Sequence, residues 1–210
     1  MTELLLATRN RGKVREYTSL LEGSPFSLTT LDQKAIEATV GEGNATMEAN
    51  AAFKAKTYAQ ISGLLTLADD SGLEVEALGG EPGAFSKRYA GSEATDEERN
   101  IYLLRKLAQV PWEKRRARFR CVIAIATPNG KLELCHSECS GFIAYEPKGE
   151  NGFGYDPIFY LPEQGKTMAE LSLEEKNEIS HRGKAAREAQ DILKKVFLES
   201  IKGQKNDRAP

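Results

Sequence analysis

The sequence lacks a long apolar segment, and this absence excludes a broad class of proteins. No apolar run approaches the ~20 residues that a membrane-spanning helix requires. The N-terminus also lacks a basic segment followed by a long apolar stretch and a small-residue cleavage site, so we expect no export signal. These absences predict a cytoplasmic protein with no membrane partner.

Cysteine, histidine and net charge are also scarce. The 210 residues include 3 cysteines and 2 histidines, and a sparse, odd set of cysteines is typical of reduced thiols in a cytoplasm. The net charge of -2 argues against a nucleic-acid-binding protein that depends on bulk basicity, although a single nucleotide needs only a few local cations. Cys135, His136 and Cys139 do not predict a zinc site, because on a strand His136 faces away from both cysteines.

Periodicity and turn residues predict an α/β protein with a mixed sheet. An apolar strand, Leu4–Thr8, leads into a helix, and an alanine-rich helix at Thr46–Ser62 precedes a second apolar strand, Leu64–Ala68. An Asn-Gly turn then joins two long strands, Arg118–Thr127 and Lys131–Ser140, as a hairpin. A long hairpin beside strand-helix units predicts strands of both directions in one sheet.

Capping signals mark several later helices. Thr95 with Glu98, and Thr167 with Glu170, have the spacing of capping boxes, and Ser180 can cap the last helix. We expect that helix to end at Gly203. The sequence therefore predicts one domain over residues 1–203, followed by a mobile tail at 204–210.

Two carboxylates follow directly after a predicted strand, in the segment LADDSG. Successive side chains on a strand point to opposite faces, so we expect Asp69 and Asp70 to line different surfaces. A carboxylate at a strand end can hold Mg²⁺ or accept a proton from water. The alternative is a simple turn, because all four residues of Asp-Asp-Ser-Gly favour turns.

The opening loop has the composition of a phosphate-binding helix N-terminus. Thr8, Asn10 and Lys13 supply a hydroxyl, an amide and an ammonium where backbone N–H groups are unpaired. Ala7 and Val14 stand where a Walker A loop requires glycine and Ser or Thr. An ordinary connection with Asn10 as a helix cap is the alternative. Glu42, in a glycine-flanked loop, is either a second acidic metal ligand or a solvated glutamate.

Two later segments have the residues to recognise a base. In GFGYDP, Phe153 lies between two glycines and can stack on a flat heterocycle, while Asp156 can accept a hydrogen bond from a base N–H. The alternative is a tight turn with Tyr155 packed inward. In EEKNEISHRGKA, His181 and Arg182 place positive groups at a helix start against the helix dipole, which suggests a use for them. The alternative is a charged surface turn.

Together these segments resemble one family. The motifs, in order and at compatible spacing from about Leu4 to Lys195, are TRNRGK, LADDSGLEVEALGGEPG, RYAG, FGYDPIF and GKTMAELSLEEKNEISHRGKA. They are similar to those of the inosine triphosphate pyrophosphatases, the Ham1-type enzymes for non-canonical purine nucleoside triphosphates. The resemblance implies an elongated, two-lobed α/β fold around a long mixed sheet, with a central nucleotide-binding cleft.

The resemblance also implies an activity and an assembly. It implies a cytosolic homodimer that cleaves ITP, dITP and XTP to the monophosphate and pyrophosphate with Mg²⁺. Asp70 would be the catalytic base, and Asp70, Glu42 and Asp69 would be the metal ligands. Substrate contacts would come from the residues that match the family's motifs: Thr8, Arg9, Asn10, Arg11, Gly12, Lys13, Ser71, Phe153, Gly154, Tyr155, Asp156, Lys176, Ser180, His181 and Arg182.

Three other interpretations remain open at the level of the sequence. The chain can be a pyrophosphatase for other modified nucleotides, such as modified pyrimidines. It can be a nucleotide-binding regulator without turnover, although two adjacent carboxylates near phosphates argue for a metal and against that reading. It can also be an interaction module in which the motifs are loops.

Overall fold

The computed structural model describes residues 2–41, 43 and 46–206, with side chains up to residue 195. Seven strands form one sheet in the order β2-β1-β3-β4-β5-β6-β7. The strands are β1 (Thr2–Leu6), β2 (Phe26–Thr30), β3 (Leu65–Val75), β4 (Arg116–Ala126), β5 (Leu132–Ile143), β6 (Phe159–Leu161) and β7 (Lys166–Thr167). The longer helices are α1 (Arg11–Leu20), α2 (Met47–Ser62), α3 (Asp96–Lys106), α4 (Leu173–Ile179) and α5 (His181–Asn206).

The sheet is mixed, as the sequence predicts. β1 is parallel to both β2 and β3, and every other neighbouring pair is antiparallel. The predicted hairpin is confirmed, because β4 and β5 pair from Arg116 opposite Phe142 to Ala126 opposite Leu132. The long strands β3, β4 and β5 thus form the centre of an α/β fold.

The strand was expected to end at Ala68, with a simple turn as the alternative for the Asp-Asp-Ser-Gly segment, and the structure contradicts both. The segment is not a turn after Ala68, because β3 continues through it to Val75 and Asp69 and Asp70 pair with Ile123 and Val122 of β4. Gly72 allows the chain to continue here, since a Cβ atom at that position would lie 2.1 Å from the carbonyl oxygen of Gly83. The two carboxylates therefore extend from the middle of a strand.

Helices cover both faces of the sheet at its β1 end. Leu4 and Leu6 pack with residues of α1 and α5, whereas Leu5 packs with Ala51 and Ala55 of α2. A separate apolar cluster lies further along the long strands and includes residues of α3, β6 and the segment before β6. The core therefore comprises three apolar clusters, two on opposite faces of the sheet near β1 and one further along the long strands.

The predicted helix caps are confirmed, and one helix end is corrected. Both capping boxes form, although the one at Thr167 opens a 3-10 turn of three residues, Met168–Glu170. Ser180 caps α5 by accepting a hydrogen bond from the backbone N–H of Gly183 at 3.1 Å. The helix does not end at Gly203 but continues to Asn206, so the first three residues of the expected tail are helical.

Two further expectations, for Glu42 and for the end of the tail, concern residues that the structure does not describe. Glu42 and residues 207–210 lie outside the described residues. Among the helices of the described chain, none combines the length and apolar character needed to span a bilayer.

Candidate active site

The loop between β1 and α1 forms the N-terminus of a helix. Asn10 is the cap residue, and its side-chain oxygen accepts a hydrogen bond from the backbone N–H of Lys13 at 3.1 Å. Thr8 Oγ1 in turn accepts from the backbone N–H of Asn10 at 3.2 Å. Helix N-termini present backbone donors and positive potential, so this loop is suited to an anion.

The arginines of this loop point elsewhere. Arg9 donates to Asp32 at 2.8 Å and to the carbonyl of Ile36, which draws its exposed side chain toward the segment after β2. Arg11 is exposed at the first position of α1. The structure therefore does not bring these two side chains together with Lys13.

Gly12 and Phe153 are in direct contact. A Cβ atom on Gly12 would lie 2.4 Å from a ring carbon of Phe153, so a side chain there would displace the ring. The ring also lies 4.9 Å from Lys176 Nζ and 5.3 Å from the guanidinium carbon of Arg182. Phe153 thus joins the opening loop to the two cations that the late motif predicts.

Asp69 and Asp70 point to opposite faces of β3, as the strand period predicts. Asp69 faces α1 and α5, where Lys13 Nζ lies 2.9 Å from Oδ1 and Arg182 Nε lies 3.3 Å from Oδ2. Burial by itself raises the pKa of Asp69, but Lys13, Arg182 and Lys54 outweigh it and lower this pKa to about 2. Asp69 is therefore an ionised, fully buried carboxylate between two cations.

Glu16 is a member of the same cluster that sequence analysis missed. Its carboxylate lies 2.7 Å from Lys176 Nζ and 2.6 Å from Arg182 Nη1, and the residue is 1% exposed. Burial raises the pKa of Glu16, but Arg182 and Lys176 together lower it below its ordinary value. Its spacing of three from Lys13 places both on one face of α1, a signal that could have identified it.

Asp156 holds Lys176 from the other side. Its Oδ2 atom is paired with Lys176 Nζ and also accepts from the backbone N–H of Phe153 at 2.8 Å. Burial raises the pKa of Asp156 above its ordinary value, although Lys176 opposes the effect. The lysine is thus fixed between Glu16 and Asp156, directly below the Phe153 ring.

The start of α5 contributes His181 and Arg182, both buried. Arg182 Nη2 donates to Ser71 Oγ at 2.8 Å, which connects α5 to β3. The His181 ring stacks on Phe119 with a centroid distance of 4.7 Å, and its Nδ1 has no hydrogen-bond partner within the described residues. Burial, reinforced by Arg182 and Lys176, holds the pKa of His181 well below its ordinary value, so the imidazole is neutral.

Asp70 lies on the α2 face in a different environment. Its Oδ2 accepts from Asn50 Nδ2 at 2.9 Å, and its Oδ1 lies 3.8 Å from Lys54 Nζ. Lys54 also donates to the backbone carbonyl of Asp69 at 2.7 Å. Sequence analysis assigned no role to Asn50 or Lys54. Their spacing of four among the buried alanines of α2 marks them as polar residues on an apolar face.

Two predicted residues act differently from the rest of the set. Tyr155 is buried in the core, and its hydroxyl donates to the backbone carbonyl of Ser86 at 2.9 Å, which matches the inward-packing alternative. Gly154 contributes only backbone, and its N–H is donated to Asp96 at 2.7 Å. Apart from these two residues, Arg9, Arg11 and Glu42, the predicted residues lie around the Phe153 ring, at the N-termini of α1 and α5, and on β3.

The described residues do not contain a preformed all-protein metal cluster. Within them, no group of three or more His, Cys, Asp and Glu side chains is arranged to hold an ion. Cys135 is buried and His136, its neighbour on β5, is exposed. Any metal here would take a carboxylate such as Asp70 together with oxygens from a ligand.

Comparison with known proteins gives a consistent family. The Ham1 family profile matches residues 4–192. The dITP/XTP pyrophosphatase of Geobacter sulfurreducens is 50% identical over 193 residues, covering 92% of this chain and 97% of the relative. The dITP/XTP pyrophosphatase of Thermus thermophilus is 51% identical over 185 residues, covering 88% of each chain.

A solved structure supports the same assignment for the fold. The HAM1 protein from Coxiella burnetii superimposes with a TM-score of 0.84 at 42% identity, covering 93% of this chain and 100% of the other. The α/β architecture with a mixed sheet is therefore shared.

Proposed function

This chain belongs to the Ham1 family, and we propose that it hydrolyses non-canonical purine nucleoside triphosphates. The substrates would be ITP, dITP, XTP and dXTP, cleaved to the monophosphate and pyrophosphate, so that the enzyme clears these nucleotides from the pool. One observation carries the proposal: the Phe153 ring lies over two buried cations beside a helix N-terminus. The names of the relatives, dITP/XTP pyrophosphatases, support it.

The triphosphate would bind at the N-terminus of α1. Thr8, Asn10 and Lys13 are the side chains at this terminus, and the backbone N–H groups of Arg9, Arg11 and Gly12 add donors, since those of Asn10 and Lys13 already donate within the loop. Ser71 and Lys176 are further candidate contacts. Lys13 is half-buried and already paired with Asp69, so it meets a phosphate from a fixed position.

The base would be recognised by stacking and by complementary hydrogen bonds. Phe153 supplies the stacking surface, and Arg182 and His181 supply donors for the 6-oxo oxygen of a hypoxanthine or xanthine. Asp156 would accept from a ring N–H. Adenine carries a 6-amino donor at that place, so buried donors would be left unpaired, and such sites can discriminate by ~10⁴ or more.

Mg²⁺ is the metal that the family implies, and the donors present fit it. Mg²⁺ is usually bound through one or two carboxylates together with substrate phosphates. Asp70 offers a carboxylate, 6% exposed, on β3, which neighbours β1, the strand that leads into the proposed phosphate-binding loop. Glu42 is the second candidate ligand. Asp69 already contacts Lys13 and Arg182, so a contribution from it through water stays a prediction. When bound, the metal would neutralise phosphate charge and lower the pKa of a bound water.

Asp70 would act as the base for the attacking water. Water attacks the α-phosphorus, Asp70 accepts its proton, and the bond to the pyrophosphate oxygen breaks as pyrophosphate leaves. Asn50 and Lys54 hold the Asp70 carboxylate from α2, so it is oriented before substrate arrives. Lys13 and Arg182 lie on the opposite face of β3, where they pair with Asp69, so they do not occupy the Asp70 carboxylate.

Assembly and location complete the proposal. We propose a homodimer in the cytoplasm with no nucleic-acid or membrane partner. The cysteines support a reducing compartment, because Cys121, Cys135 and Cys139 are all free thiols in the structure. The nearly balanced net charge of the chain supports a small-molecule substrate over a nucleic acid.

The decisive experiment measures pyrophosphate release from dITP, XTP, dATP and GTP, first with Mg²⁺ and then with EDTA. Fast, metal-dependent release from dITP and XTP alone is the expected result. Equal release from all four would overturn the base-recognition argument. A modified pyrimidine triphosphate, 5-methyl-dCTP, is added as a fifth substrate, and faster release from it than from dITP and XTP would assign a different substrate class. Nucleotide binding that raises Tm without any release would identify a regulator, and no binding would identify an interaction module.

A further inference from the structure

The backbone of Gly154 is held at both of its polar groups by one helix. Asp96 Oδ2 accepts from the Gly154 N–H at 2.7 Å, and Asn100 Nδ2 donates to the Gly154 carbonyl at 3.1 Å. Asp96 and Asn100 are four residues apart, on one face of α3. We name this pair of side chains the α3 clamp. It connects α3 to a loop more than fifty residues later in the chain.

The clamp is itself built to hold its position. Asn100 is 4% exposed, so the clamp is shielded from water on that side. Asp96 is paired through its other oxygen with Arg99, and Arg99 also donates to the backbone carbonyl of Lys87 at 3.1 Å. Gly154 adopts a positive φ of 65°, a conformation that glycine reaches easily. The buried donor Asn100 and the acceptor Asp96, itself paired with Arg99, thus both bind Gly154, whose conformation favours glycine.

The clamp fixes one of the two peptide planes that flank Phe153. The plane before Phe153 is fixed because its N–H is donated to Asp156 at 2.8 Å. The plane after Phe153 is fixed because it carries the Gly154 N–H that Asp96 holds. Asn100 holds the next peptide plane through the Gly154 carbonyl, so Gly154 is fixed on both sides and cannot rotate the plane that it shares with Phe153. The direction of a Cα–Cβ bond follows from the two peptide planes beside it, so together these contacts orient the Phe153 ring.

We propose that Asp96 and Asn100 are positioning residues that set the orientation of the Phe153 ring and so the strength of base stacking. The inference rests on the proposed function, because it gives Phe153 the role of stacking surface. Neither clamp residue touches the cation cluster or Asp70 in the described contacts. Their effect should therefore appear in substrate binding and leave the chemical step unchanged.

The test is a double-mutant cycle between the clamp and the ring. The kcat and KM for dITP are measured for the wild type, Asn100→Ala, Phe153→Ala and the double variant. Because a misdirected ring loses part of its stacking on the base, we expect Asn100→Ala to raise KM about tenfold with kcat within about twofold. In the Phe153→Ala background the same change should have no further effect on KM. Independent, multiplying effects on KM would overturn the proposal.

Two controls separate positioning from general loosening of α3. Leu103→Val removes a methylene from a buried residue of the same helix, and it should leave KM unchanged while lowering Tm. Asp96→Asn keeps an oxygen that can accept from Gly154, so it should retain near-wild-type KM, whereas Asp96→Ala should not. Equal KM for the two Asp96 variants would contradict the clamp even if Asn100→Ala fails to fold.

A measurement without turnover distinguishes this inference from the proposed function. Hydrogen exchange at the Gly154 amide, followed by NMR, should accelerate at least about tenfold in Asp96→Ala relative to Asp96→Asn, because the hydrogen bond that protects the amide is lost. An unchanged rate would remove the clamp itself. If the wild type protects this amide but releases no pyrophosphate from dITP, the proposed function fails while the contact stands, and the role in stacking fails with the function.

Discussion

Asp69 and Asp70 are adjacent in sequence and both buried, but their side chains contact different groups on opposite faces of β3. Asp69 meets two full cations on the α1 and α5 face, at 2.9 Å and 3.3 Å. Asp70 meets an amide at 2.9 Å and a lysine at 3.8 Å on the α2 face. Within the described contacts, one strand therefore carries a carboxylate with close ion pairs at both oxygens next to a carboxylate with one hydrogen bond and one longer ion pair.

The difference shows how a site can separate organisation from chemistry. Around Asp69, ion pairs join three carboxylates with three cations, so the buried network carries no surplus charge. Such a network can fix Lys13, Lys176 and Arg182 in place, but it offers little net positive charge to a triphosphate. The charge that the phosphates require must come from the α1 N-terminus and from a metal, which supports the metal dependence we propose.

The largest expected effect is on the Asp70 face. Asp70→Asn removes the proposed base while keeping a side-chain oxygen for Asn50, so we expect kcat for dITP to fall about 10³-fold. Stability at neutral pH should change little, and nucleotide binding by calorimetry should remain measurable. Activity near that of the wild type would exclude Asp70 as the base.

The second prediction concerns the Asp69 face and acid stability. The pKa of Asp69 in the folded protein is about 2, below its ordinary value of 3.8, so its ionised form stabilises the fold above about pH 4 and this contribution disappears as the pH falls toward 2. Asp69→Asn should therefore lower the free energy of unfolding at pH 7 by roughly 2 kcal/mol and flatten its decline in acid.

Urea denaturation at pH 7, 4 and 2.5 checks this prediction. The matched comparison is Asp70→Asn, which alters the neighbouring residue of the same strand and should leave neutral-pH stability within about 1 kcal/mol of the wild type. If both variants lose the same stability, the contrast between the two faces is wrong.

The smallest expected effect tests how Asp70 is held. Asn50→Ala deletes the hydrogen bond to Asp70, so stability should fall by about 1 kcal/mol and kcat by about tenfold, as is common when a supporting contact is removed. Lys56→Ala, at an exposed position of the same helix, is the control and should change neither quantity. If Asn50→Ala changed KM alone, the role of Asn50 would be substrate binding and not the orientation of Asp70.

The predictable parts of the molecule are those that local chemistry dictates. The Asn-Gly hairpin, the capping boxes and the Asn10 and Ser180 caps each depend on a few neighbouring residues, and each is confirmed. The composition of the Asp-Asp-Ser-Gly segment favours turns, which was the alternative interpretation, yet pairing with β4 keeps the segment extended. Tertiary pairing overrode a local preference at that point.

Sequence motifs predicted several members of the buried ion-pair cluster but not the connections between them. Family motifs identified Lys13, Lys176 and Arg182, but Glu16, which binds the latter two, is unremarkable as one glutamate in a polar helix. Its importance comes from burial, which depends on how α1 and α5 pack together. Asn50 and Lys54 escaped for the same reason, because their polar ends matter only once α2 lies on β3.

The ion pairs around Glu16 also constrain how the protein can diverge. Glu16, Asp69, Lys176 and Arg182 belong to four different elements, α1, β3, α4 and α5, yet each contacts at least one other through a buried ion pair. Replacing one of these cations by a neutral residue would leave a buried carboxylate without its charge partner, and the loss of a buried charge partner typically lowers the free energy of unfolding. Substitutions at these positions should therefore occur together or not at all, so that the pairs evolve as a single unit.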